Sequence, residues 1–274
     1  MAYDQISLNG RLTTWQQAEL NPTTLLGRNW VYTTVYTVGH RPLHLKAKLN
    51  YLLDSYKALF GTKPNLSAGE LAQEIHDLLY FGLYPEGGNT LNVYLIPSET
   101  GATNRLIVHE ATTPYDSYAL LTVRPIGTIA NYEIPFEKHH TSVSMTAARF
   151  ADNYAAERGA GVALRANRAG TLLSSGDNPL FALRGFTLLA NPIGVGARPS
   201  AERDLMFRTA SLAGVNIVEE ELRVEDLEQY DELLVFTPVG LQSIARVGDM
   251  VMVNIYANRL AKALTTLTRE GFAL

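Results

Sequence analysis

The sequence predicts an α+β fold divided into two domains, and three observations carry that prediction. Strand and helix signals are mixed along the chain without the strict alternation of a doubly wound sheet. A polar, turn-rich stretch, Thr112-Thr113-Pro114-Tyr115-Asp116-Ser117, interrupts them and reads as a linker over 112–116. The length of 274 residues, 46% of them hydrophobic, lies between one large domain and two ordinary ones and can bury full cores without staples. The N-terminal domain is therefore expected over 1–111 and the C-terminal domain over 117–274.

Residues 30–38, Trp-Val-Tyr-Thr-Thr-Val-Tyr-Thr-Val, are β-branched and aromatic and stop at Gly39-His40, so they read as a strand and turn. Leu45, Leu49, Leu52, Leu53 and Tyr56 recur at helical spacing until Gly61, a C-terminal stop. Ser67 with Glu70 three residues on is a capping box, opening a helix to about Tyr80. Strands are expected at 91–97 and 105–109 around Gly101, and at 119–123 after the linker. A helix follows over 142–158, closed by Gly159 and Gly161. Strands then fall at 162–166, 180–183 and 186–190, and Ser200 is the N-cap of a helix to Gly214. A short helix near 225–230, strands at 233–236 and 250–253, and a terminal helix from Tyr256 complete the pattern.

Composition narrows function mainly by exclusion. With 23 Lys+Arg against 27 Asp+Glu the net charge is −4, and the basic footprint of a nucleic-acid binder is missing. The absence of cysteine excludes disulfides, thiolate metal sites and a Cys nucleophile. The opening Met-Ala-Tyr-Asp-Gln has no basic or apolar region of a signal peptide. The longest apolar run, 185–196, carries Asn191 and Pro192 and is short of a membrane span. These features predict a cytoplasmic protein with no membrane and no nucleic-acid partner. Neither G-x-G-x-x-G nor a P-loop, H-E-x-x-H or G-x-S-x-G occurs.

Three polar clusters remain as candidate sites. In Glu137-Lys138-His139-His140 the adjacent histidines would point different ways on a strand, which makes a poor metal pair, so no metal is expected. Ser174-Ser175-Gly176-Asp177-Asn178-Pro179 is either an ordinary Asx/Ser turn or a cradle for an anion. Gly196-Ala197-Arg198-Pro199-Ser200 leads into a helix N-terminus, where free N–H groups and Arg198 suit an anion.

The order of these pieces resembles the fold-type-IV pyridoxal-phosphate (PLP) enzymes: branched-chain and D-amino-acid aminotransferases and aminodeoxychorismate lyases. The blocks are Asn9-Gly10, Val31-Tyr32-Thr33-Thr34-Val35 with Arg41-Pro42-Leu43, and Ala156-Glu157-Arg158-Gly159-Ala160. They continue with Leu173-Ser174-Ser175-Gly176-Asp177-Asn178-Pro179-Leu180-Phe181, Ser200-Ala201-Glu202-Arg203-Asp204 and Tyr230-Asp231-Glu232-Leu233, covering nearly the whole chain. The resemblance implies a two-domain D-amino-acid-aminotransferase-like architecture, an active-site cleft between the domains and a homodimer.

The positions that the resemblance makes functional depart from the family pattern. The register set by Gly159 puts the Schiff-base lysine at His140 or Thr141, and Lys138 is the nearest lysine. The glutamate that keeps the pyridine nitrogen protonated becomes Ser174. The phosphate-binding arginine becomes Tyr51, and the family's histidine nearby becomes Lys48. The pair whose amides hold the phosphate becomes Ala201-Glu202, adding a negative charge, and the T-x-T contact reads Phe236-Thr237-Pro238. An Arg–phosphate pair is a strong charge-assisted contact, so its loss weighs heavily. The expectation is a family member that has lost PLP transamination, needs no cofactor, and binds a small, anionic ligand in the old cleft through Arg198 and Ser200, with His140 at the catalytic position. One alternative is an active PLP-dependent enzyme using Lys138. Another is a catalytically silent interaction subunit.

Overall fold

The computed structural model describes residues 5–17, 27–98 and 101–270. They form two compact units. The first takes the described residues up to Ser117, together with His139–Ser142 and those from Thr268 on, and the second takes Tyr118–Lys138 and Val143–Leu267.

The first unit is built on a six-stranded sheet, all of whose pairs are antiparallel. β1 (Gln5–Leu8) and β2 (Arg11–Thr14) form a hairpin around Asn9-Gly10, both at positive φ, as a two-residue turn between right-twisted strands requires. β3 (Val31–Val38) is followed by the short β4 (Arg41–Pro42). β5 (Gly88–Pro97) and β6 (Thr103–Thr113) fill the middle, so that the strand order is β2-β1-β6-β5-β3-β4. α1 (Leu45–Phe60) and α2 (Ala68–Phe81) complete the unit. The helically spaced Leu49, Leu52, Leu53 and Tyr56 share one apolar cluster with Val31, Val35, Val93 and Ile75. Ser67 caps α2 reciprocally with Glu70, and Gly61 ends α1 in the left-handed region.

In the second unit the strand path runs β17-β16-β8-β9-β10-β11-β14-β15-β7, with β12 on β11 and β13 on β12. Its opening strands are β7 (Ala119–Leu120) and β8 (Ile126–Asn131), followed by α3 (Ser142–Ala156) and β9 (Val162–Ala166). β8 and β9 pair in parallel on either side of α3, whose Ala151 and Ala155 pack on Ala130 and Ala163. Next come β10 (Leu172–Ser175), β11 (Asn178–Arg184) and β12 (Thr187–Ala190). α4 (Ala201–Leu212) then crosses from β12 to β13 (Asn216–Glu219), again a parallel pair. A 3₁₀ turn at Val224–Gln229, β14 (Glu232–Thr237), β15 (Gly240–Ser243), β16 (Arg246–Val247), β17 (Met250–Val251) and α5 (Tyr256–Glu270) finish the unit. Among the described residues no helix is long and apolar enough to cross a membrane.

Several sequence expectations change here. Thr112 and Thr113, expected in the linker, close β6 opposite Asn89 and Gly88, because the pairing resumes after a register shift at Thr90 and Leu91. Residues 139–142 return to the first unit: Thr141 bridges Val31, and the Tyr32 N–H donates to the His140 carbonyl at 3.1 Å. The strand expected at 119–123 is only Ala119–Leu120. Ser174 and Ser175, expected in a turn, end β10, and the turn shrinks to Gly176-Asp177.

Candidate functional site

β9 carries an arginine where the pattern is otherwise apolar. Val162, Leu164 and Ala166 face one apolar cluster, so alternation turns Ala163 and Arg165 to the other face. All five residues of β9 are buried, and the Arg165 side chain is 2% exposed. The β9–β10 register shifts between Leu172 and Ser174, which sets Ser174 opposite Arg165.

The tight β10–β11 turn presents Asp177. Its carboxylate accepts from Ser144 Oγ at 2.9 Å and from Arg198 Nη1 at 2.7 Å. Arg198 lies in the loop before α4, where Gly196 has φ +84° and a Cβ would stand 2.5 Å from Leu173 Cδ2, so only glycine lets the loop lie this close. Asn191 fixes the other end of that loop. Its amide donates to the Leu172 carbonyl at 2.6 Å, and its side-chain oxygen accepts from Leu222 N at 2.8 Å. Ser200 caps α4 by accepting from Arg203 N at 3.1 Å, which brings the Arg203 guanidinium to the Asn191 carbonyl and to Glu219.

These segments line a small pocket, partly open to solvent, whose lining residues lie wholly within the second unit. Arg165, Arg198 and Arg203 all line it, with Ser174, Asp177 and Asn191. Buried arginines are rare unless paired, and each has one carboxylate: Glu137 for Arg165, Asp177 for Arg198, Glu219 for Arg203. Even so, Arg165 Nε and Nη1, Arg198 Nη2 and Arg203 Nε are buried and make no hydrogen bond among the described residues. The cluster's field reaches Tyr132. Burial is the main cause that raises its phenol above the ordinary value, opposed by Arg165 and reinforced by Asp177 and Asp152.

Of the residues singled out in the sequence, the pocket joins Ser174 and Arg198. Ser174 donates its hydroxyl to the Gly176 carbonyl at 2.8 Å. Ala201 and Glu202 form the first turn of α4, and Thr237 ends β14, donating to the Gly240 carbonyl at 2.9 Å. Lys138 is exposed in a turn. His140 and Tyr51 belong to the first unit: the His140 ring lies 5.6 Å from that of Tyr32, and Tyr51 is half-buried on α1. Sequence reasoning passed over Arg165, although a charge inside the run Val162–Ala166 was the available signal. Glu219 carried none, since its partnership with Arg203 depends on the β12–β13 crossover.

Of the positions that the resemblance made functional, His140 and Thr141 lie in the first unit and Lys138 and Ser174 in the second. Among the described residues no group of three or more His, Asp or Glu is placed to hold a metal ion.

A six-stranded antiparallel sheet with two helices, followed by a mixed sheet with two parallel crossovers, defines a class of α+β scaffold, and comparison identifies it as the fold-type-IV architecture. The sequence matches the amino-transferase class IV family over residues 30–246, and the chain belongs to that family, which is PLP-dependent. No curated protein matches it. Its fold is similar to that of the branched-chain aminotransferase of the archaeon Thermoproteus uzoniensis with norvaline, at TM-score 0.82 and 16% identity over 97% of this chain and 95% of that one. The Escherichia coli branched-chain amino acid aminotransferase superposes at TM-score 0.81 and 16% identity, covering 97% and 94% of the two chains. A hypothetical aminotransferase from Mycobacterium tuberculosis in its PLP-bound form gives 0.80 and 13%, over 96% and 99%.

Proposed function

We propose that this chain keeps the class IV aminotransferase fold without PLP-dependent transamination, and binds a small anionic ligand in the pocket around Arg198. The observation that carries this reading is the pocket's own chemistry: buried guanidinium N–H groups that make no hydrogen bond among the described residues, beside Ser174, where the resemblance implies a glutamate for the ring. His140 at the lysine position and Ser174 at the glutamate position support it. The ligand would sit among neutral hydrogen-bonding groups and arginines, with Ser200 supporting the loop through the helix cap. The resemblance further supports a homodimer.

The test is a PLP titration of the purified chain, followed by near-visible absorbance and by amino-group transfer between an amino acid and a 2-oxo acid. The expected outcome is no saturable absorbance change and no transfer. Turnover that Lys138→Ala abolishes would overturn the reading and establish an active aminotransferase.

A further inference from the structure

Resting on that reading of the Arg198 pocket, we propose that its ligand is a tetrahedral oxyanion dianion, inorganic phosphate or the phosphate group of a small phosphomonoester, gripped by Arg165, Arg198 and Arg203 and gated by Glu137 and Glu219. The three guanidiniums arrive from three separate segments: β9, the loop before α4, and the first turn of α4. A planar carboxylate is satisfied by one such fork, whereas the oxygens of a phosphate can accept from several directions at once. Four nitrogens of these guanidiniums are buried and make no hydrogen bond among the described residues. Leaving a buried charged donor unmade costs folding free energy, so a ligand that completes it binds favourably.

The three carboxylates are not equivalent. Asp177 is 11% exposed and held from two sides, by Ser144 and Arg198, so it stays. Glu137 and Glu219 are 38% and 48% exposed, so they can return to water at little cost. With both turned out, three guanidiniums face one fixed carboxylate, a balance of two positive charges that a phosphate dianion neutralises. The two glutamates thus occupy the guanidiniums when the ligand is away and make way for it.

Isothermal titration of the full chain tests this with inorganic phosphate, glycerol 3-phosphate and succinate. Phosphate binding that weakens as salt rises is expected, with succinate far weaker. Glu137→Gln and Glu219→Gln remove the competing carboxylates, lie at half-exposed positions, and should each tighten phosphate binding by about tenfold. Arg165→Met and Arg203→Met should weaken it by tenfold or more at unchanged far-ultraviolet circular dichroism. Competition between phosphate and glycerol 3-phosphate, with the ester tighter, would make a phosphomonoester the ligand, and phosphate tighter would make the free ion the ligand. Succinate binding in place of phosphate would overturn this inference and leave the anion reading standing. Binding of none of the three, in the native chain and both glutamine variants, would overturn both.

Discussion

Arg165 shows what one buried side chain reveals about a site. A guanidinium that is 2% exposed and has two nitrogens making no hydrogen bond among the described residues is a poor way to stabilise a strand. Replacing it by an apolar side chain of similar length strands no buried charge, because its partner Glu137 is 38% exposed and can return to water. Arg165→Met is therefore expected to melt at or above the native temperature while losing anion binding. A clear drop in melting temperature would mean that Arg165 serves the fold instead. His109 makes a second residue-scale case, in the first unit. Burial holds its imidazole below the usual value, its Nε2 lies 3.1 Å from Asn89 Oδ1, and its ring lies 4.1 Å from that of Tyr84. The folded chain thus prefers the neutral ring, and the unfolded chain binds the proton more readily. His109 costs no stability above about pH 6.5, and stability falls as the pH drops from there through the lowered folded value. Urea unfolding at about pH 5 and pH 7.5 should show this loss, and His109→Gln should reduce the difference. Arg165 was open to inspection in the sequence as a charge among apolar neighbours. Its meaning was not, because Glu137, Ser174 and Arg198 reach it only through pairing and loop closure.

At the scale of elements, local chemistry was legible and pairing was not. The capping box at Ser67, the stop at Gly61 and the cap at Ser200 follow from residues within a few positions, and the structure has each. β8, β10 and β15 were missed: β8 is a strand through partners distant in sequence, while β10 and β15 are short arms of tight hairpins with β11 and β14. Glu232 illustrates the same point. The motif Tyr230-Asp231-Glu232-Leu233 was visible, but its physical role was hidden. The buried Glu232 carboxylate accepts from the backbone N–H groups of Ile255, Tyr256 and Ala257 at 2.5, 2.6 and 3.0 Å, so strand β14 caps helix α5. Glu232→Ala should cost roughly 3 kcal/mol in urea unfolding, because it orphans three donors and the charge that faces them. Glu232→Gln should cost less, and a neutral Glu232→Ala would refute the capping role.

For the whole molecule, the α+β class and the family were readable from weak motifs in the right order. Residues 139–142 and Thr268–Glu270 group with the first unit, far along the chain from the rest of it, and no local sequence signal marks them. A net charge of −4 offers little long-range repulsion to self-association. Light scattering at micromolar concentration is expected to return twice the mass of the chain, and a monomer mass would count against the homodimer. If the scaffold persists without its cofactor chemistry, borohydride reduction of the purified protein followed by mass spectrometry will return an unmodified chain; a pyridoxyl adduct on Lys138 would show instead that the PLP chemistry is retained.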